Sequence, residues 1–162
     1  MFFRFLFIFL LVGCASTIPS DPKMVLDNFS LIGSGQGRIV GQLGRGSFSF
    51  YSFFDQKDFI ISISIPFSND ETIRITPDEI VTTRYYLDKK YQKTIIDFID
   101  LLRTKDYTCK DQNCTYKGIK FTMSITPKGV VIIQTNNIYA MIDRNRLEID
   151  TTPLKIILVF TR

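Results

Sequence analysis

Two stretches of this chain alternate with period two, and they limit what it can become. In residues 47–54, Phe48, Phe50 and Phe54 fall on one face and Ser47 and Ser49 on the other. In residues 58–66, Ile61, Ile63 and Ile65 share a face opposed by Ser62 and Ser64. Successive side chains of a strand point to opposite faces, so each stretch has one apolar and one wet side. Strands of that kind belong to antiparallel sheets covered on one face. Further apolar runs occupy residues 38–43, 72–75, 80–87, 119–125, 130–134, 139–142, 147–149 and 154–160. Shorter ones at 107–109 and 115–116 flank a polar loop. Asp55-Gln56-Lys57, Ser68-Asn69-Asp70, Thr76-Pro77-Asp78 and Pro127-Lys128-Gly129 supply the turn chemistry between runs. About ten short, regularly spaced strands predict a mainly β domain, an antiparallel meander curling toward a barrel.

Helical signals are few. Asp21-Pro22 offers an N-cap followed by proline at the first helical position, and Val25, Leu26 and Phe29 then share one side of residues 23–29. The strong helix is predicted over 91–102. There Ile95, Phe98, Ile99 and Leu102 recur at three- and four-residue spacing, with Lys93 and Asp97 one turn apart. Its apolar stripe needs a surface to lie on, and the sheet is the one large enough.

Residues 1–16 carry a different signal. Arg4 precedes an apolar run over residues 5–12, too short to span a bilayer and suited to a signal peptide. The run ends in Leu11-Val12-Gly13-Cys14, which resembles the bacterial lipobox at all four positions. That resemblance implies removal of residues 1–13, lipidation of Cys14, a lipidated tether over 14–20 and one folded domain over 21–162. The alternatives are a short membrane anchor or an ordinary secretory signal that contains a cysteine. Several acyl chains, at roughly 0.8 kcal/mol per buried methylene, would hold the domain on a membrane. Ala15 stands where an aspartate would favour the inner membrane, so the expected location is the outer membrane, facing the periplasm.

Composition narrows the chemistry. The net charge is +4, and Arg4 is the only charged residue in the first 13, so the domain and tether carry +3. That suits proximity to anionic headgroups and is far from a nucleic-acid signature. Histidine is absent, which removes the commonest general base and metal ligand. Cys109 and Cys114 bracket Lys110-Asp111-Gln112-Asn113. In an oxidising compartment they are expected to form a disulfide, since a zinc site would need two more ligands. Gly33-Ser34-Gly35-Gln36-Gly37 lacks the lysine and helix of a phosphate loop and reads as glycines at a strand entrance. Asp70-Glu71 and Asp78-Glu79 lie at turns, where carboxylates are solvated. The expectation is therefore no enzyme, no catalytic residues, no metal and no cofactor.

The arrangement resembles the LolA/LolB-like group of periplasmic proteins that carry lipid-modified cargo. Gly37-Arg38-Ile39 is similar to that group's opening strand and Ser47-Phe48-Ser49-Phe50 to its second. Ile63-Ser64-Ile65-Pro66-Phe67-Ser68 is similar to a third strand running into an exposed apolar loop. Leu147-Glu148-Ile149 with residues 154–160 resembles the closing hairpin. The match covers roughly residues 31–78, and the chain departs from the group in lacking tryptophan and in its cysteine loop. The resemblance implies an open half-barrel covered by one or two helices, with a concave apolar face that takes acyl chains. Phe48, Phe50, Ile61, Ile63, Ile95, Phe98 and Ile99 are the candidate walls of that cavity, which is either open or filled by core packing. Phe67 is the candidate membrane contact, the alternative being a ring folded back onto the core. The implied function is a lipid-anchored receptor that accepts lipoproteins from a periplasmic carrier and aids their insertion in the outer membrane. A structural lipoprotein acting as a protein–protein adaptor, without a lipid ligand, is the competing expectation.

Overall fold

The computed structural model describes residues 21–41, 44–82, 89–151 and 154–161. The expected signal peptide, Cys14 and the expected tether lie outside the described residues, as do the far ends of the runs at 38–43 and 80–87. The chain opens with helix α1 (Pro22–Asn28) and continues through β1 (Gly33–Gly41), β2 (Gly44–Asp55), β3 (Asp58–Ser64), β4 (Glu71–Ile75) and β5 (Ile80–Thr82). Helix α2 (Lys89–Thr104) follows. Then come β6 (Thr108–Lys110), β7 (Asn113–Tyr116), β8 (Ile119–Ile125), β9 (Val131–Gln134), β10 (Tyr139–Asp143), β11 (Arg146–Thr151) and β12 (Leu154–Phe160).

All the strands join one antiparallel sheet in the order β5-β4-β3-β2-β1-β12-β11-β10-β9-β8-β7-β6. Two meanders therefore meet at a central β1–β12 pairing, with Gly35 opposite Phe160 and Val40 opposite Lys155. The sheet is not closed: β5 and β6 are its edges, and α2 is the connection between them. The fold is an open half-barrel with two helices.

One face of every long strand feeds a single core. Phe48, Phe50, Phe59, Ile63 and Ile75 from the first meander join Phe121, Ile133, Ile142, Leu147 and Leu158 from the second. Burying each such side chain contributes about 1.5–3 kcal/mol. Helix α1 begins as its sequence predicts, with Asp21 accepting a hydrogen bond from the Lys23 amide at 2.9 Å. It packs Val25 and Leu26 into the core on the side of β8, β9 and β10. Helix α2 buries Ile96 and Leu101 in addition to the predicted Ile95, Phe98, Ile99 and Leu102. Its apolar stripe is broad because it packs against both meanders.

The glycine run is not a loop before a strand. It lies inside β1, where Gly35 and Gly37 sit opposite Phe50 and Phe48. A Cβ on Gly37 would fall 2.1 Å from the Phe48 ring, and one on Gly35 would fall 2.0 Å from the Val159 carbonyl oxygen. The missing side chains make room for aromatic rings to lie across the strand. Ser52 interrupts the phenylalanine series on the same face. Fully buried, it donates to the Leu31 carbonyl at 2.7 Å, pinning the chain as it enters β1.

Candidate functional site

Among the described residues, the β3–β4 connection carries the most exposed apolar side chain. The Ser68 amide donates to the Ile65 carbonyl at 3.1 Å, closing a turn with Pro66 second and Phe67 third. Phe67 has φ +63°. Proline followed by a positive φ is the pattern of a type II turn, whose third position favours glycine or asparagine. A larger residue held there costs roughly 1–2 kcal/mol. No part of the ring recovers that cost by burial, because its relative exposure is 110%. Phe67 therefore points outward and does not fold back onto the core.

The candidate acyl-chain residues have another setting. Phe48, Phe50, Ile63, Ile95, Phe98 and Ile99 are buried and Ile61 is half-buried, all within the packed core. Phe50 meets Phe160 edge-on at 5.1 Å between ring centroids, and Phe160 meets Phe29 at 5.7 Å. These rings fill the concave face between β1, β2 and β12. Open space lies instead on either side of α2. A groove of about 350 Å³ runs between α2 and β7–β9, walled by Phe98, Leu101, Tyr116, Phe121, Ile133 and Ile138, with Lys93 and Lys120 at its rim. A smaller one of about 240 Å³ separates α2 from β3 and β4, with Phe59, Ile75 and Ile99 on its floor and Lys57, Arg103 and Lys117 above. Only Phe98 and Ile99 of the candidate residues reach these spaces. Of the other walls, Phe121 and Ile133 come from the runs at 119–125 and 130–134, Tyr116 from 115–116 and Leu101 from α2, while Ile138 lies just ahead of the run at 139–142.

Helix α2 is fastened beside both grooves by Asp100. Its carboxylate accepts from the Tyr116 hydroxyl at 2.5 Å, from Lys117 Nζ at 2.6 Å and from Arg103. Burial alone would raise the carboxyl pKa. The hydrogen bonds from Lys117, Tyr116 and Arg103 outweigh that effect and hold it at about 2. The β7–β8 turn bends to make this contact, with Lys117 at φ +45° and Gly118 at +82°. Tyr107 titrates in the opposite sense, pushed up to about 12 by burial and by the nearby Asp27 and Asp21.

Cys109 and Cys114 are joined in a disulfide across directly paired positions of β6 and β7. Of the carboxylates expected in turns, Asp70, Asp78 and Glu79 are exposed. Glu71 is not: it stands opposite Ile63, and that register turns it inward to 2% exposure. Among the described residues, no cluster of three or more cysteine, aspartate or glutamate side chains could hold a metal ion. No helix there is long and apolar enough to cross a membrane.

The class these features define is an open antiparallel half-barrel with apolar grooves flanking its long helix and a bare phenylalanine on one turn. No protein-family model matches the sequence, and no curated protein matches it.

Proposed function

We propose that this protein is a lipid-anchored periplasmic receptor of the LolA/LolB-like kind. In this reading Cys14 holds it at the outer membrane, and it accepts lipoproteins from a periplasmic carrier and helps insert them into the bilayer. The observation that carries the reading is Phe67, a fully exposed ring kept at a positive φ where glycine would be easier. Residues held in such conformations without a packing reward concentrate at functional sites. The groove beside Phe98 supports acyl-chain capture, since about 350 Å³ lies within the usual range of ligand sites and its walls are mostly apolar. No covalent step is required.

The adaptor reading rests on a different observation, the filling of the concave face by Phe48, Phe50 and Phe160. Two measurements separate the two. Phe67→Glu leaves the melting temperature nearly unchanged, because nothing packs on the ring, and weakens transfer of acylated cargo to liposomes. Transfer at the parent rate would remove the membrane role of Phe67. Organic extraction of the Cys14→Ser protein yields stoichiometric acyl chains from a receptor and none from an adaptor.

A further inference from the structure

A second feature lies at the same end of the strands as Phe67. The pairing of β2 with β3 stops at Ser49 opposite Ser64. Beyond that point the β1–β2 hairpin continues alone on that side, so Arg45 stands about 13 Å past the last β3 pair at 3.3 Å per residue. The turn that carries Phe67 leaves the sheet from Ser64 in the same direction.

The outer face of this hairpin has a consistent charge. Arg45, Val40 and Lys155 form one row across β2, β1 and β12, and Ser47, Arg38 and Ile157 form the next. Arg38 and Arg45 are thus diagonal neighbours around Val40, close enough to act on one charged group or two adjacent ones. Lys155 is engaged by Glu148, which also takes Arg146 at 2.7 Å. Arg38 and Arg45 are exposed, and their side chains have no ion-pair or hydrogen-bond partner among the described residues. No aspartate or glutamate occurs between Asp27 and Asp55, so the whole hairpin lacks a carboxylate that could occupy them. On the Phe67 turn, Asp70 is exposed and Glu71 is buried. Val40, the apolar group between the arginines on this face, is partly open to solvent, as is Ile39 on the opposite face of β1.

We propose that this end of the half-barrel docks on an anionic bilayer surface, with Arg38 and Arg45 binding phospholipid phosphates while the Phe67 ring enters the acyl region. The proposal rests on the membrane contact assigned to Phe67 above and adds the lipid class and two residues that select it. A planar guanidinium offers paired donors to phosphate oxygens. Such a site should discriminate between membranes by headgroup charge, which an apolar ring alone cannot do.

The chain contains no tryptophan, so Phe67→Trp in the Cys14→Ser protein, which has no anchor of its own, places one emitter at the contact. Its emission is read on vesicles of phosphatidylcholine, alone or mixed with phosphatidylglycerol, with acyl chains brominated to quench an inserted ring. On the anionic vesicles Trp emission shifts to the blue and is quenched. In that background Arg38→Gln and Arg45→Gln each lower the ratio of docked to free protein about fivefold. Lys128→Gln, on the turn at the opposite end of the strands, leaves it unchanged. Equal docking on neutral and anionic vesicles, or undiminished docking of the double arginine variant, overturns the headgroup site and leaves the Phe67 contact standing. An emission that shifts on neither vesicle overturns both.

Discussion

At Gly37 the space a side chain would need is already taken. The Phe48 ring lies 2.1 Å from where a Cβ would sit, and neither group is at a surface that can yield. Gly37→Ala should therefore cost about 1–3 kcal/mol through overpacking. Gly46→Ala, whose Cβ would meet nothing closer than 3.6 Å, should be nearly neutral. Urea denaturation of the two variants checks this, and equal midpoints would mean the ring moves aside freely. The role of Gly37 was not legible in the sequence, because it depends on which residue stands opposite it in the neighbouring strand. Glu71 hides its place for the same reason: beside Asp70 it reads as a turn residue, and only its pairing with Ile63 directs it inward. Phe67 was half legible. Proline before it and Ser-Asn-Asp after it announce a turn, but nothing in a phenylalanine announces a left-handed backbone.

Among the elements, α2 was the easiest to find and the hardest to place. Its periodicity marks Ile95, Phe98, Ile99 and Leu102, yet no local signal says that both meanders will face it. Nor does Asp100 stand out, since its partners Tyr116 and Lys117 lie sixteen and seventeen residues along the chain. The depressed pKa of Asp100 has a defined effect on stability. A carboxyl titrating at about 2 when folded and 3.8 when unfolded stabilises the protein fully above about pH 4. That stabilisation fades as the pH falls toward 2. Allowing for the partial exposure of the group, it amounts to about 1–2 kcal/mol. Asp100→Asn should lower stability at neutral pH by that amount and flatten the curve across this acid window. A variant whose pH dependence matched the parent would show that the Tyr116–Lys117–Arg103 contacts carry no net energy.

The hairpin β6–β7 makes an independent case. Its disulfide closes a loop of four intervening residues, Lys110 to Asn113. On loop-entropy grounds so short a closure contributes about 1–3 kcal/mol. Cys109→Ser paired with Cys114→Ser should lose that much, and reduction of the parent protein should reproduce the loss. A reductant-insensitive melting curve would count against a structural bond. Here the sequence was sufficient, because the two cysteines and the polar residues between them lie within one turn.

At the scale of the whole molecule, the alternating runs predicted an antiparallel meander, and the half-barrel follows from it. What the runs could not show is that the meander is interrupted. Strand β1 is not an edge but the partner of β12, so residues 33 and onward wait for the far end of the chain. Gly35 and Phe160, which face each other, are separated by most of the domain. Until β12 arrives, one flank of β1 is an open row of amide and carbonyl groups, the kind of edge that recruits other chains. Such distant pairing is also slow to form. For a chain made or threaded across a membrane from its N-terminus, this arrangement acts as a timing device. The first meander can take shape early, but the domain cannot be finished while its last strand is still in a ribosome or a channel. A chaperone that covers β1 during that interval would protect the one surface that the protein itself covers last.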